Sequence, residues 1–215
     1  MEAWLLEKIV LAPPLLFSLA IHEYAHGRTA LAFGDPTAKL MGRVSLNPLR
    51  HLDPIGTIAL FTVRFGWAKP VPVNPANLHP RRLGNILVSL AGPMSNLQLA
   101  VICGLILKAL IVWNVALSAD LPVSIVEILW LTMSINLVLC VFNLVPLYPL
   151  DGHHILGELL PPSKHMIYMQ WQMQFGRLIL MGLIFVPMLL NRPGPLSYLY
   201  RSVIDPAINW ALGSA

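Results

Sequence analysis

Residues 17–33 read FSLAIHEYAHGRTALAF, an apolar run in which His22, Glu23 and His26 stand together. Imidazole and carboxylate groups are costly in apolar surroundings unless they are paired or bind a metal ion. In a helix, His22 and His26 lie one turn apart on the same face and can bind a single ion. Glu23, about 100° further around the axis, can reach a water molecule at that ion without being a ligand. The pattern predicts a helix with a metal centre, and zinc is the usual ion for such a ligand set.

The composition predicts that this helix lies in a membrane. Of the 215 residues, 56% are apolar and only 11% are charged, whereas about 25% are charged in a typical soluble domain. A soluble domain of this length cannot bury so many apolar side chains, so we predict an all-α polytopic membrane protein. The net charge of +4 is not gathered into one stripe, and no nucleic-acid partner is expected. Cys103 and Cys140 lie inside apolar runs and are predicted to be core residues.

Apolar segments predict about four transmembrane helices. These segments are residues 9–33, 94–113, 123–144 and 166–190. A break is expected at Gly92-Pro93, before the second of them. Residues 55–67 alternate in polarity, which favours a short membrane-associated β-hairpin, and the Pro-, Gly- and Asn-rich residues 28–82 favour ordered turns. The aromatic tail, residues 195–215, favours a C-terminal interfacial helix.

Basic residues are unevenly distributed over this topology. Residues 114–122 contain no Lys or Arg, whereas many basic residues lie between the first and second spans. Those residues are Arg28, Lys39, Arg43, Arg50, Arg64, Lys69, Arg81 and Arg82. By the positive-inside rule this connection is cytoplasmic, so the ends of segments 9–33 and 123–144 face the same, cytoplasmic side.

A catalytic zinc site uses three protein ligands and keeps a further position open, so a third ligand is expected beside His22 and His26. Asp151 lies just beyond segment 123–144, on the same predicted side of the membrane as the two histidines. The glycine that follows, Gly152, fits a close backbone approach or a tight turn. Topology therefore favours Asp151 as the third ligand.

Other candidates fit the third ligand less well. Asp35 and Asp53 precede proline in turn sequences, where a structural role is expected. Asp120 and Glu127 belong to the opposite side of the membrane by the predicted topology. The alternatives that stay open are His153, His154 and Glu158.

Polar side chains also occur inside the predicted spans. They either line a water path to the metal or form hydrogen bonds between helices, and both readings stay open. They are Ser95, Asn96, Asn136, Asn143, Gln170, Gln172 and Gln174.

The two motifs together resemble the site-2 protease family of intramembrane zinc metalloproteases, peptidase family M50. The resemblance rests on HEYAH at residues 22–26 and NLVPLYPLDG at residues 143–152. Supporting stretches are GDPTAKLMGRVSLNPLRHLDPIG from residue 34, GWAKPVPVNP from residue 66 and AGPMSN from residue 91. The likeness covers roughly residues 10–160 and is to small prokaryotic members, with no PDZ module in the matching part.

The resemblance implies a role for six residues. His22, His26 and Asp151 match the ligands of one zinc ion per chain, and Glu23 matches the catalytic acid/base. The substrate-binding positions of the family match Asn143 and Asn96. The whole chain, residues 1–215, is then one transmembrane metalloprotease domain. Its catalytic core is about residues 9–160, followed by an accessory span at 166–190 and the tail at 195–215.

The expected function is intramembrane hydrolysis of peptide bonds in transmembrane or membrane-tethered proteins. The expected location is the cell membrane, with the active site near the cytoplasmic side. The partners are the lipid bilayer and the substrate protein, and homo-oligomer formation is left open. Two alternatives are a membrane metal-binding or transport protein and a non-catalytic, substrate-binding relative. Ligand residues at one depth disfavour the transporter, and the intact Glu23 disfavours the inactive relative.

Overall fold

The structure is a computed structural model that describes residues 2–56, 68–113 and 125–213. Within these ranges the chain is mainly helical, and we number its principal helices in chain order. They are α1 (Glu2–Ala32), α2 (Arg81–Val112), α3 (Ile125–Asn143), α4 (Asp151–Leu159), α5 (Pro162–Leu189) and α6 (195–212). Helix α5 contains a π-helical segment at Gln172–Gly176, and α6 contains another at Tyr200–Ile204.

Three of the described helices, α2, α3 and α5, are long and apolar enough to cross a membrane. The expected count of about four is therefore not supported, because α1 is not among them. The membrane-spanning character of the chain rests on the other three helices.

The break expected at Gly92-Pro93 was wrong, because α2 runs without interruption from Arg81 to Val112. A proline inside a helix removes one backbone hydrogen bond and costs about 3 kcal/mol. Helix α2 is supported on several sides, since it packs against α1, α3, α4 and α6. This surrounding packing keeps the helix continuous where local sequence favours a stop.

The predicted β-hairpin falls largely outside the described residues, which omit 57–67. On either side of that range, Leu52 and Ala68 form an isolated antiparallel bridge. The backbone N–H of Lys69 also donates to the carbonyl of His51 at 2.8 Å. No sheet is present in the described part of the chain, so the hairpin stays a prediction.

The connection between α1 and α2 consists largely of turns in its described part, as its composition indicates. Asn47 and Asn74 each precede a proline, and each side chain caps a single 3₁₀ turn, at Pro48–Arg50 and Pro75–Asn77. The asparagine side chains accept the N–H groups that the start of each turn leaves without a partner. These caps give the proline-rich connection a defined course.

A fully buried carboxylate, Asp35, ties this connection together. It accepts hydrogen bonds from the backbone and side chain of Thr37, the backbone of Asn74 and the side chain of Asn77. Burial by itself would raise the pKa of Asp35, but these hydrogen bonds hold that pKa below its usual range. The structural role expected for Asp35 is confirmed.

The tail is helical, as predicted, and its interfacial position stays a prediction. Ile204, Ile208 and Ala211 of α6 are buried against a cluster that includes Leu107 of α2 and Met133 of α3. Cys103 belongs to the same cluster, and both cysteines are buried and free, as expected. Helix α6 therefore packs against both α2 and α3.

We expect Asp35→Asn to destabilise the protein by about 1–3 kcal/mol at pH 7, because charge-assisted bonds to a buried carboxylate are lost. The native pKa lies below the unfolded value of about 3.9, so this stabilisation is complete above that value. It disappears as the pH falls through the native pKa. Unfolding midpoints of both proteins in detergent should therefore converge below about pH 4. A gap that stays constant with pH would contradict this account.

Candidate metal centre

Three side chains from separate parts of the sequence converge in the structure. Nε2 of His22 lies 3.0 Å from Nε2 of His26. The carboxylate of Asp151 lies 3.3 Å from the first nitrogen, through Oδ2, and 3.4 Å from the second, through Oδ1. All candidate ligand atoms lie within 4.8 Å of one another, and both histidines are buried. This spacing suits three ligands that point at one ion.

Two local features bring Asp151 to the histidines. It is the first residue of α4, directly after the loop 144–150 that leaves α3. A Cβ atom on Gly152 would lie 2.3 Å from the carbonyl oxygen of Leu144 and 2.5 Å from that of Val145. No other residue type fits there, so the close backbone approach predicted for Gly152 is confirmed.

The second nitrogen of each histidine is bound to a fixed acceptor on α2. Nδ1 of His26 donates to the carbonyl oxygen of Val88 at 2.7 Å, and Nδ1 of His22 donates to Oδ1 of Asn96. A carbonyl oxygen can only accept, so each Nδ1 carries a proton, and Nε2 is the nitrogen of each neutral imidazole that can bind a metal. Such outer contacts fix the tautomer and orientation of metal-binding histidines.

Asn96 is itself held by a buried hydrogen-bond network. Its Nδ2 donates to Oδ1 of Asn136 at 2.7 Å and to the carbonyl of Ser18 at 3.3 Å. Asn136 in turn donates to Oγ of Ser18 at 2.7 Å, and Ser18 donates to the carbonyl of Pro14. Asn96, Asn136 and Ser18 are completely buried, so these amides form interhelical hydrogen bonds. The network holds Asn96 behind His22.

The chemistry around the three residues fits a metal ion. Oδ2 of Asp151 is a buried atom with no hydrogen-bond donor, which is costly unless a cation lies beside it. A carboxylate binds metal in its ionised form, and both oxygens of Asp151 face an Nε2 atom of the histidine pair.

Gly92 on α2 leaves open the space in front of the histidines. A Cβ atom there would lie 2.4 Å from Nε2 of His26 and 2.6 Å from Nε2 of His22. The space is thus accessible to an ion only because residue 92 has no side chain. Sequence reasoning treated Gly92-Pro93 as a helix break and missed this role. A glycine inside a long apolar helix was the available signal.

Glu23 is buried beside the two histidines, and its Oε2 accepts the backbone N–H of Val71 at 2.7 Å. The segment that holds Val71 is fixed from its other side by Arg43, whose guanidinium donates to the carbonyls of Lys69 and Pro70. The conformation of Glu23 is therefore set by the described end of the proline-rich connection. Neither Val71 nor Arg43 was among the predicted site residues.

The three alternatives for the third ligand, His153, His154 and Glu158, contact other residues and do not belong to the ligand group. Nδ1 of His153 donates to the carbonyl of Leu150, and the carboxylate of Glu158 accepts from Asn85 at 2.8 Å. His154 lies against the ring of His153, with 3.8 Å between ring centroids. None of the three joins the ligand group in the described part of the chain.

Asn143, predicted to bind substrate, ends α3, and its Nδ2 donates to the carbonyl of Leu139 at 2.9 Å on the same helix. Asn96, predicted for the same role, instead contacts His22. Substrate binding by either residue stays a prediction.

Comparison with known proteins identifies the family of this chain. The family model described as peptidase family M50 matches residues 111–185. The chain is 40% identical over 174 residues to "Putative zinc metalloprotease YwhC" of Bacillus subtilis, an alignment that covers 81% of this chain and 79% of that protein. The chain belongs to peptidase family M50, the site-2 protease family.

Two further relatives of this M50 chain carry the name "Putative zinc metalloprotease Rip2". The protein from Mycolicibacterium smegmatis is 30% identical over 182 residues, and that from Mycobacterium tuberculosis (H37Rv) is 32% identical over 184 residues. Each alignment covers 81% of this chain and 66% of the relative. No solved structure matches the chain. A metalloprotease family with membrane helices is thereby shown, as the motifs indicated.

We expect Gly92→Ala to abolish most metal binding without unfolding the protein. The new Cβ would push away the ends of two histidine side chains, which can rotate, while alanine favours the helix by up to about 1 kcal/mol. Metal content per chain and the unfolding midpoint test this expectation. Gly182→Ala in α5 is the matched control, because a Cβ there meets nothing within 4 Å. Unchanged metal content in Gly92→Ala would refute the role of this space.

We expect Asn96→Ala to weaken metal binding by about 10- to 100-fold, because His22 loses the acceptor that orients it. Asn143→Ala should leave the metal affinity unchanged, since the side chain of Asn143 donates its hydrogen bond to Leu139 of the same helix. Competition with a chelator of known affinity measures both variants. Equal affinities for the two variants would show that the hydrogen bond to His22 is not needed.

Proposed function

We propose that this chain is an intramembrane zinc metalloendopeptidase that hydrolyses peptide bonds of transmembrane or membrane-tethered proteins. The observation that carries the proposal is the convergence of His22, His26 and Asp151, with Glu23 buried on the same helix. Two imidazoles and one carboxylate form a ligand set of catalytic zinc sites. Relatives named as zinc metalloproteases support the same reading.

The zinc ion would be held by Nε2 of His22, Nε2 of His26 and the carboxylate of Asp151. When bound, zinc acts as a Lewis acid that polarises a peptide carbonyl and makes water more acidic. Asn96 and Val88 keep both imidazoles in the tautomer that presents Nε2. The open space at Gly92 leaves room beside the ligands.

Glu23 would act as the general base and then the general acid. Its carboxylate takes a proton from the attacking water and later delivers it to the leaving amide nitrogen. The hydrogen bond from Val71 occupies Oε2, which orients the carboxylate and restricts its motion. Burial of Glu23 and both histidines excludes bulk water and strengthens electrostatic interactions at the reacting centre.

The site would operate within the membrane near its cytoplasmic face. Helix α1 packs against α2 and α3, both of which can span a bilayer, so we propose that α1 is embedded beside them. Basic residues between α1 and α2 favour a cytoplasmic location for that connection. The host membrane we propose is the cell membrane. Asn143, at the end of α3 near the loop to Asp151, is proposed to contact substrate.

A transport function is less well supported. A metal path through the membrane needs ligands at successive depths, whereas the described residues contain one group of three candidate ligands. The buried Glu23 beside that group is better explained by hydrolysis, since it adds a proton acceptor that is not part of the ligand set.

Metal binding and peptide hydrolysis should respond differently to two substitutions. We expect Glu23→Gln to retain zinc near one ion per chain and to lose about 10²- to 10⁴-fold in cleavage rate, because the amide cannot accept the proton. Asp151→Ala should lose both zinc and activity. Zinc content of detergent-purified protein and cleavage of labelled transmembrane peptides are the two measurements.

Glu158→Gln serves as the matched control, because Glu158 contacts Asn85 and lies outside the ligand group. It should retain zinc and keep its cleavage activity. Zinc missing from the unsubstituted protein, or retained in full by Asp151→Ala, would overturn the proposal.

A further inference from the structure

The loop that leads into Asp151 is bound to a buried glutamine of α5. Gln172 is only 1% exposed. Its Oε1 accepts the backbone N–H of Tyr148 at 2.9 Å, and its Nε2 donates to the carbonyl of Pro146 at 2.7 Å. One side-chain amide thus bridges two backbone positions of the loop between α3 and α4, shortly before Asp151.

The amide of Gln172 has a partner for each of its polar groups. The second N–H of Nε2 donates to the hydroxyl of Tyr168 at 2.8 Å, and that hydroxyl donates to the same Pro146 carbonyl at 3.2 Å. A buried amide with complete hydrogen bonding is held in one orientation and resists displacement. The loop therefore meets a rigid partner on α5.

Packing around Gln172 brings α5 very close to the loop. Gly176 lies one turn further along α5, and a Cβ atom there would lie 2.5 Å from Oε1 of Gln172 and 3.0 Å from Cβ of Tyr148. Gln172 and Gly176 are the two ends of the π-helical segment, a local widening of the helix that often marks functional positions. The close approach thus depends on a glycine, as it does at Gly152.

The buried positions of α5 form a single stripe. Gln172, Gly176 and Leu180 are spaced four residues apart and are the buried residues in the described side chains of this helix. Gln172 is the polar member of this stripe, and it is the one that reaches the loop to Asp151. Helix α5 supplies no member of the ligand group.

We propose that Gln172 is a positioning residue of the metal site, which holds the loop 144–150 so that Asp151 faces His22 and His26. This inference rests on the proposed zinc site. Helix α5, which contributes no ligand, would thereby determine the position of the third ligand, Asp151. The positions of the two histidines depend instead on α1 and α2.

Two substitutions separate the parts of this contact. Gln172→Ala removes both hydrogen bonds to the loop. Gln172→Glu keeps an acceptor for the N–H of Tyr148 but loses the donor to the carbonyl of Pro146. Gln170→Ala and Gln174→Ala are matched controls, because both glutamines lie on the same helix and are exposed.

The experiment uses the full chain in detergent, loaded first with zinc and in a parallel series with cobalt. We measure the rate of zinc loss to excess chelator, the visible spectrum of the cobalt form and the unfolding midpoint of the metal-free protein. We expect Gln172→Ala to lose zinc about tenfold faster, at the lower end of the range for outer contacts of metal ligands. Its cobalt spectrum should change, and Gln172→Glu should lose zinc at least as fast, because it places a buried carboxylate oxygen against the Pro146 carbonyl. Both controls should match the unsubstituted protein.

The outcomes distinguish this inference from the proposed function. If the unsubstituted protein binds zinc and Gln172→Ala releases it at the same rate with the same cobalt spectrum, the inference is overturned and the zinc site stands. A lower unfolding midpoint alone, with release and spectrum unchanged, would show a purely structural role and also overturn it. If the unsubstituted protein binds no metal, the proposed function fails, and the positioning role fails with it.

Discussion

The arrangement on which the rest of the structure depends is the approach of one carboxylate to two imidazole nitrogens inside an apolar bundle. Such a group is costly to bury without a cation, because Asp151 retains an oxygen that receives no hydrogen bond. The surrounding features are consistent with this requirement. Gly92 leaves space in front of the histidines, and Gly152 lets the backbone of α4 approach closely enough for Asp151 to reach them.

Helix α2 contributes no ligand, yet it organises the site. It carries the acceptors for both histidines, Val88 and Asn96, and the residue whose missing side chain leaves the space, Gly92. It also packs against α1, α3, α4 and α6, so its position is determined by much of the fold. The site is thus supported on two sides, by the buried amides between α1, α2 and α3 and by Gln172 of α5 behind the loop to Asp151.

Local patterns predicted much of this architecture because they depend on neighbours in the chain. Apolar length indicated the spans of α3 and α5, and the asparagine–proline pairs indicated ordered turns. The same reasoning failed at Gly92-Pro93, where tertiary packing outweighs the local tendency to break a helix. The fourth expected span, in α1, is not among the helices of the described residues that are long and apolar enough to cross a membrane.

The sequence by itself determined the chemistry, since the spacing of His22 and His26 and the neighbouring Glu23 follow from helical periodicity alone. It also indicated Asp151 as a partner, through membrane topology. Only the tertiary structure decided which atoms meet: Nε2 of each histidine, with Nδ1 bound to α2, and the amide of Gln172 behind the loop. The physical reason is that these contacts join residues far apart in the chain. Their distances and directions depend on how helices pack, which no local pattern encodes.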